Sequence, residues 1–194
     1  MHRIVALSGS LSRPSRTRAL VHAIADALAQ GHAPRNAQVD LIDIAEIAPA
    51  LAAVTGFDNI PDVVRDAQEL LARADVIVLG SPVYKGSYSG LFKHFIDLLD
   101  PAWLRGKVAV LAATGGSDRH ALVLEHQWRP LASFLELHTV PAGVFVRDSE
   151  FENYQLGADR TASHERIALA AAQARTLLGW PTQPAAEAPI ALAA

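Results

Sequence analysis

Hydroxyl and arginine side chains are concentrated in a short stretch near the N-terminus, where they suit the binding of an anion. Residues 5–20 have the sequence V-A-L-S-G-S-L-S-R-P-S-R-T-R-A-L, in which an apolar strand runs into a polar loop that opens a helix. Backbone N–H groups at a helix N-terminus bind anions. The hydroxyls of Ser10, Ser15 and Thr17 add donors, and Arg16 adds a charged fork. The pattern predicts a site for a phosphorylated small molecule, and an ordinary helix capped by Ser15 or Thr17 is the alternative.

Three kinds of phosphate site are excluded because the loop lacks the residues that they require. Gly9 is the only glycine in the stretch, whereas a dinucleotide fingerprint needs G-x-G-x-x-G. A nucleoside triphosphate loop ends in Gly-Lys-Ser or Gly-Lys-Thr, which is absent here. A phosphatase of similar layout needs a cysteine nucleophile, and the chain has no cysteine. The remaining possibility is a loop that binds a single phosphate group, as a mononucleotide requires.

Two later segments also follow apolar runs and are rich in small and polar residues. Residues 80–93 contain Tyr84 and Tyr88, whose rings or hydroxyls suit a flat ligand, and the mobile cation Lys85. Residues 113–120 contain adjacent glycines, whose N–H groups suit carbonyl or ring-nitrogen acceptors. Each loop alone is most simply a turn, but three such loops after strands of one sheet indicate a binding site.

Apolar runs recur along the chain and predict strands that are buried on both faces of a parallel sheet. The predicted strands cover 4–7, 39–44, 74–79, 108–113 and 142–146, and the predicted helices cover 17–30, 61–73, 89–99, 119–136 and 160–178. Their alternation predicts a doubly wound α/β fold with a five-stranded parallel sheet and helices on both faces. Ligands of such sheets bind at the carboxyl ends of the strands, where the three loops lie. Residues 48–60 are predicted as a long loop.

The composition of the chain indicates how many domains to expect and which classes of partner and chemistry to exclude. The 194 residues, 51% of them hydrophobic, predict one domain over 1–179 and an Ala/Pro-rich tail over 180–194. A net charge of −3 gives no reason to expect nucleic acid or a membrane as a partner. The absence of cysteine excludes disulfides and thiolate chemistry, and the scattered histidines predict no metal site. Because the chain shows neither a signal segment nor an apolar run of about 20 residues, we expect a cytoplasmic protein.

Three motifs together resemble one known family. They are G-S-x-x-x-x-S-R-T at 9–17, S-P-V-Y-K-x-x-Y-S-G-x-x-K at 81–93 and A-T-G-G-S at 113–117. The chain from about residue 3 to 178 resembles the NAD(P)H-dependent FMN reductases of flavodoxin-like fold. It is more similar to the alkanesulfonate and methanesulfonate type, which supplies reduced flavin to a separate monooxygenase. The cofactors that the resemblance implies are FMN and NAD(P)H.

The resemblance assigns roles to residues of all three loops. It implies that the FMN phosphate is held by Ser10, Ser15, Arg16 and Thr17. It implies that the isoalloxazine ring is bordered on one edge by Pro82, Val83, Tyr84, Lys85, Ser87, Ser89 and Gly90, and on the other by Thr114, Gly115, Gly116 and Ser117. No side chain is expected as a catalytic nucleophile or base, because hydride passes between the cofactors. A helix cap is the alternative role for Ser89.

Pro130 lies inside the predicted helix over 119–136. Proline lacks an N–H and pushes against the carbonyl four residues earlier, that of His126, so a kink or π-bulge is expected there. Sulfonate-type reductases are similar to one another in a one-residue insertion at this place, a tyrosine in some members. The resemblance implies that the bulge, at a subunit interface near the flavin, favours exchangeable FMN, with His126 as a modulator. A surface histidine beside a kink is the alternative.

Three functional hypotheses follow. The first is an NAD(P)H-dependent FMN reductase that supplies reduced FMN to a partner monooxygenase for sulfonate or organosulfur use. The second keeps FMN as a prosthetic group and reduces quinones or azo dyes. The third is a flavodoxin-like electron carrier, although such carriers tend to be more acidic than −3. An apolar, kinked helix and the Ala/Pro tail suggest a homodimer or homotetramer, and the choice between NADH and NADPH stays open.

Overall fold

A parallel sheet forms the centre of the computed structural model, which describes residues 2–30 and 37–180. Its strands are β1 (His2–Ser8), β2 (Ala37–Asp43), β3 (Val76–Pro82), β4 (Val108–Gly115), β5 (His138–Thr139) and β6 (Val144–Arg147). Their order is β2-β1-β3-β4, and both β5 and β6 lie beside β4. Because β5 pairs with the first half of β4 and β6 with the second, the two share the fifth position. This is the flavodoxin-like order, so the predicted fold class is confirmed.

Helices cover both faces of the sheet. They are α1 (Arg16–Ala29), α2 (Ile44–Ala52), α3 (Asp62–Ala72), α4 (Gly90–Asp97), α5 (Arg129–Phe134) and α6 (Thr161–Leu177). The buried residues of α1 and α6 belong to one apolar core, and those of α2 to α5 belong to the core on the other face. Short 3-10 turns lie at Pro101–Trp103, Asp118–His120 and Asp148–Glu150. Within the described ranges, no helix combines the length and apolarity needed to cross a bilayer.

The residues of β1 show why the sheet forms. Ile4 and Ala6 belong to the core beneath α1 and α6, whereas Val5 and Leu7 belong to the core on the other face. Successive side chains of a strand point to opposite faces, so an uninterrupted apolar run fills both cores. The neighbouring strands β3 and β4 are apolar and buried in the same way. The loops after β1, β3 and β4 therefore lie side by side at one edge of the sheet.

Residues 48–52, predicted as part of a loop, are helical and form the second half of α2. Ile44, Ile47 and Leu51 are buried at helical spacing, so this short helix is held by its apolar face. The loop prediction is wrong there because the helix begins at Ile44, directly after β2, and contains Pro49 in its second turn. The apolar stripe outweighs the one backbone hydrogen bond that proline removes.

The predicted helix over 119–136 is divided into three parts. A 3-10 turn at Asp118–His120 is followed by a π-helical turn at Leu124–Trp128 and then by α5. The π-helical turn contains His126, so the expected break is confirmed. Pro130 is the second residue of α5, directly after the π-helical turn, where its missing N–H interrupts the helical hydrogen bonds.

Three short strands have no counterpart among the predictions. They are β5 and the antiparallel pair β7 (Phe151–Glu152) and β8 (Gln155–Leu156). Strands of two residues carry no detectable periodicity, which is why the pattern of apolar residues does not reveal them. The predicted tail over 180–194 falls outside the described residues except for Trp180, which is buried with its ring centroid 5.1 Å from that of His2.

Candidate functional site

The loop after β1 begins the candidate site. Ser15 is the N-cap of α1, and its hydroxyl accepts a hydrogen bond from the Arg18 N–H at 3.1 Å. The buried Ser10 hydroxyl accepts one from the Ser12 N–H at 3.2 Å and shapes the turn before the helix. The cap predicted for Ser15 is therefore present. The N-terminal end of α1, with its free N–H groups, opens beside these two hydroxyls.

The loop after β3 is a tight turn. Tyr84 and Ser87 exchange backbone hydrogen bonds of 2.8 and 3.1 Å across Lys85 and Gly86. Lys85 and Gly86 have φ angles of 52° and 81°, the left-handed pair typical of a two-residue hairpin turn. The turn holds Tyr84 at the edge of the sheet and leaves the Lys85 side chain exposed at its tip.

Buried hydroxyls connect the three loops. Ser89 caps α4 by accepting from the Phe92 N–H, and it donates to the carbonyl of Gly9 in the first loop. Thr17 Oγ1, near the start of α1, lies 2.7 Å from Thr114 Oγ1 at the end of β4 in a buried hydrogen bond. The helix cap expected as the alternative role of Ser89 is therefore present, and its hydroxyl is engaged within the protein.

A cavity of about 180 Å³ lies where the three loops meet. The predicted site residues that line it are Ser10, Ser15, Arg16, Thr17, Pro82, Tyr84 and Thr114. The lining is completed by residues that were not predicted: Ser12, Pro14, Asp148 and Tyr154. The structure thus brings the predicted phosphate residues together at the carboxyl ends of β1, β3 and β4.

The other predicted residues belong to the same loops but do not line this cavity. Val83 donates its N–H to the Thr114 carbonyl at 2.8 Å and continues the pairing of β3 with β4. Ser87 donates to Gln127 Oε1 at 3.1 Å, and Ser117 caps the next 3-10 turn. The residues outside the lining are Val83, Lys85, Ser87, Ser89, Gly90, Gly115, Gly116 and Ser117. As flavin contacts they stay predictions.

Arg16 provides a guanidinium nitrogen that has no partner in the part of the chain that the structure describes. Its Nε is buried and has no hydrogen-bond acceptor among residues 2–30 and 37–180. Its guanidinium carbon lies 5.1 Å from the centroid of the Tyr154 ring, a cation–π geometry. A buried donor without a partner costs free energy unless a ligand accepts from it. The residues present therefore fit an anion such as the phosphate of FMN.

The neighbouring Arg18 is directed elsewhere. Its Nε lies 3.5 Å from Oδ2 of Asp43, the last residue of β2. Burial raises the pKa of the Asp43 carboxyl above its ordinary value, and the Ala45 N–H and the charge of Arg18 offset part of that rise. Arg16 is thus the arginine that lines the cavity.

Tyr154 and Asp148 belong to the segment after β6, which the sequence patterns did not place near the site. Tyr154 lies in the two-residue turn between β7 and β8, and Asp148 begins a 3-10 turn. Asn153 and Tyr154, set between two short segments with apolar residues, are the available signal for a hairpin. That signal does not say where the hairpin docks.

The π-helical turn is in contact with the loop after β3. Trp128 is buried, and its ring centroid lies 5.6 Å from that of Tyr88 and 4.9 Å from that of Phe92. The adjacent Gln127 accepts the hydrogen bond from Ser87. His126, in the same turn, is exposed. The turn therefore exposes Glu125 and His126, while Gln127 and Trp128 contact the loop after β3.

Comparison with known proteins gives consistent matches. The NADPH-dependent FMN reductase family matches residues 2–152. The chain is 45% identical to NADH-dependent FMN reductase SfnE of Pseudomonas putida, over 91% of this chain and 92% of that protein. It is 41% identical to an FMN reductase (NADPH) of Pseudomonas aeruginosa, over 91% of this chain and 92% of that protein.

Among solved structures, an X-ray structure of an oxidoreductase from Corynebacterium diphtheriae is similar with a TM-score of 0.81. The two are 34% identical, and the match covers 92% of this chain and 97% of the other. These matches confirm the family, the enzyme class and the cofactors that the three motifs implied. The chain therefore belongs to the NADPH-dependent FMN reductase family, whose members are oxidoreductases that use FMN and NAD(P)H.

Proposed function

We propose that this chain is an FMN reductase that uses NAD(P)H to reduce FMN as an exchanging substrate and supplies the reduced flavin to a partner monooxygenase. The observation that carries FMN binding is the cavity at the three loops. Arg16 contributes to its lining a buried Nε that has no acceptor among the described residues. A terminal phosphate supplies the acceptor that this nitrogen lacks within the described residues.

The phosphate end of the site is built from α1 and the loop before it. Free N–H groups at the start of α1, the hydroxyls of Ser10 and Ser15, and the guanidinium of Arg16 donate to phosphate oxygens. Thr17 adds a hydroxyl that already contacts Thr114 at 2.7 Å. That contact holds the phosphate pocket and the loop after β4 in one geometry.

The ring end of the site lies between the loops after β3 and β4. We assign one edge of the isoalloxazine to Pro82, Val83, Tyr84, Lys85, Ser87, Ser89 and Gly90, and the other to Thr114, Gly115, Gly116 and Ser117. The bond from the Val83 N–H to the Thr114 carbonyl supports this assignment, because it fixes the two loops against each other. Bound FMN would supply the acceptor for hydride from NAD(P)H, so these residues supply placement rather than an acid or base.

The partner is proposed to be a monooxygenase that acts on sulfonates or other organosulfur compounds. The π-helical turn at Leu124–Trp128 supports this, since sulfonate-type reductases resemble one another in a one-residue insertion at this place. We assign His126 as the modulator of flavin exchange, and its exposure beside the anchored Trp128 suits a contact with another subunit.

The absorption spectrum of the purified protein, followed by NADH and NADPH oxidation with and without added FMN, tests the proposal. A colourless protein whose activity depends on added FMN supports an exchanging substrate. A yellow protein that turns over quinones or azo dyes without added FMN indicates a prosthetic flavin instead. A stable blue semiquinone with slow NAD(P)H oxidation indicates an electron carrier. Protein that neither binds FMN nor oxidises NAD(P)H in its presence refutes the proposal.

Deleting His126 tests the role of the π-helical turn. Removal of one residue converts a π-helical turn to an α-helical one, so we expect the variant to retain FMN through purification. His126→Gln keeps the chain length and is the matched control, and it should purify like the unmodified protein. Equal flavin content in all three proteins contradicts the assigned role.

Self-association is part of the proposal, as a homodimer or homotetramer. Phe57 and Phe134 are 75% and 74% exposed, and both line one apolar groove of about 350 Å³. Exposed aromatic side chains that share a groove are typical of an interface, here with a second copy of the chain. We place the protein in the cytoplasm, in keeping with a chain that has no cysteine and with NAD(P)H as the electron donor.

A further inference from the structure

Tyr154 forms part of the wall between two cavities. The first is the cavity of about 180 Å³ that contains Arg16. The second, of about 370 Å³, lies along α1, and its lining includes His22, Asp26 and Gln155. Pro14, Ser15 and Tyr154 line both cavities. Of these three, Tyr154 is the one contributed by a different part of the chain.

The backbone holds Tyr154 in place at an energetic cost. Asn153 and Tyr154 have φ angles of 47° and 64°, which is the left-handed region at both positions of the turn. Asparagine is tolerated there, but a bulky aromatic residue is rare. The hairpin is nevertheless fixed, because Phe151 is buried and the Gly157 N–H donates to the Glu150 carbonyl at 2.9 Å. A strained residue that the surroundings keep in position points to a functional role for its side chain.

The ring of Tyr154 is held against the phosphate residues. The guanidinium carbon of Arg16 lies 5.1 Å from the ring centroid. Pro14, Ser15 and the ring line both cavities and so lie between them. A ligand that ends in a phosphate stays on the Arg16 side of the ring, whereas a ligand that continues into the second cavity must pass it.

We propose that Tyr154 is a specificity-determining residue that restricts the flavin to the monophosphate and so selects FMN over FAD. The inference rests on the proposed position of the FMN phosphate. FMN and FAD are identical up to this phosphate, and FAD continues into an adenylate half. That half has to cross the wall at Tyr154 to reach the second cavity, where Gln155, Asp26 and His22 offer polar groups.

The test measures the affinity of FMN, FAD and riboflavin by quenching of flavin fluorescence, without NAD(P)H. The proteins are the unmodified chain, Tyr154→Gly, Tyr154→Phe and Asn153→Gly. Both glycine variants relieve a left-handed residue of the same turn, so both should fold, but only Tyr154→Gly removes the ring. Thermal unfolding of each variant verifies the fold.

The expected result is a lower ratio of FMN to FAD affinity in Tyr154→Gly. Loss of the ring opens the path for the adenylate, which only FAD carries, so the ratio should fall by about five- to tenfold. A weaker contact at Arg16 would affect the shared phosphate of both flavins alike. Tyr154→Phe keeps the ring and should keep the ratio, and Asn153→Gly should match the unmodified protein. Riboflavin affinity, which involves no phosphate, should change little in any variant.

The results that would overturn the role of Tyr154 differ from the result that would refute the proposed function. An unchanged FMN to FAD ratio in folded Tyr154→Gly overturns the inference alone, since FMN binding itself then stands. A ratio that falls equally in Tyr154→Phe shows that the hydroxyl, and not the ring, is responsible, and overturns it too. An unmodified protein that binds none of the three flavins refutes the proposed function, and the inference falls with it.

Discussion

The hydroxyls of Thr17 and Thr114 show how single side chains hold the candidate site together. They form a buried hydrogen bond of 2.7 Å between the start of α1 and the end of β4. The two residues are distant in sequence, and the loops to which they belong contribute different parts of the proposed flavin site. A buried hydroxyl pair is also vulnerable, because removal of one partner leaves the other without a hydrogen bond.

We expect Thr114→Val to lower the free energy of unfolding by about 1–3 kcal/mol, since the Thr17 hydroxyl is left buried and unpaired. The double variant Thr17→Val, Thr114→Val removes both hydroxyls and should recover much of this loss. Urea unfolding of the ligand-free proteins measures both effects. A double variant that is as unstable as the sum of the two single variants contradicts this interpretation of the pair.

Arg16 is expected to recognise the phosphate rather than the ring of the flavin. Arg16→Ala should weaken FMN binding by about 10- to 100-fold, because a hydrogen bond to a charged group is lost, and should leave riboflavin binding nearly unchanged. Arg16→Lys retains the charge without the planar fork, so its affinity for FMN should lie between those of the unmodified protein and Arg16→Ala. Calorimetric titration with each flavin provides the measurement. Equal losses for FMN and riboflavin would place Arg16 away from the phosphate.

The residues of the phosphate loop could be predicted because their pattern is local. Ser10, Ser15 and Arg16 lie in one short stretch between a strand and a helix, and the structure places them on one cavity. Tyr154 could not be predicted, since its position depends on where a distant hairpin docks. Arg16 lines the cavity, whereas Arg18 pairs with Asp43. This difference depends on side-chain directions, which a motif does not specify.

At the scale of elements, the hairpin of β7 and β8 is held by Glu150. Its Oε2 accepts a hydrogen bond from the Ser163 hydroxyl of α6 at 2.6 Å, and its Oε1 accepts one from the Arg147 N–H at 3.1 Å. Burial alone would raise the pKa of Glu150, but the Ser163 and Arg147 interactions outweigh it and lower the pKa below its ordinary value. The carboxylate therefore ties the hairpin to α6 in its charged form.

A lowered pKa in the folded state means that Glu150 stabilises the fold above its ordinary pKa, and that this contribution is lost as the pH falls through the folded pKa. We expect the free energy of unfolding to decline on acidification, and to decline less steeply in Glu150→Gln. Urea unfolding between about pH 3 and 6 compares the slopes. Ser163→Ala removes one hydrogen bond to the carboxylate, so its slope should lie between those of the unmodified protein and Glu150→Gln. Identical slopes in the three proteins contradict the role assigned to Glu150.

The elements that could be predicted are those with a long periodic signal. The buried strands β1, β3 and β4 appear as apolar runs, and the π-helical turn follows from Pro130. The helix α2 was partly missed, because it begins at the residue after β2 without a loop between them. The two-residue strands β5, β7 and β8 are defined by their partners in space, which sequence patterns do not show.

At the scale of the whole molecule, we expect the apolar groove on the α4 and α5 side to form the interface of the proposed self-association. It is lined by Phe57, Ile96, Asp97, Leu99, Pro101, Leu131, Phe134 and Leu135. A second copy that covers these side chains removes apolar area from water, which is the main source of association free energy. Charged residues are depleted at the centre of such interfaces, so one charge there is disruptive.

We therefore expect Phe134→Glu to lower the mass of the protein in solution, as measured by analytical ultracentrifugation. Leu169→Glu is the matched control, because Leu169 is an exposed apolar residue on α6, at the opposite face of the sheet. It should keep the mass of the unmodified protein. Equal masses for the unmodified protein and Phe134→Glu would exclude this groove as the interface.

The shared fifth position of the sheet leaves one margin of the protein with a broken edge, which matters when molecules meet at high concentration. The edge beside β4 is formed by two residues of β5 and four residues of β6, with Pro141 between them. An extended strand from another molecule needs a continuous row of free N–H and C=O groups on which to add, and short strands and proline interrupt such a row. This margin of the sheet is therefore protected against strand addition and the cross-β aggregation that begins with it.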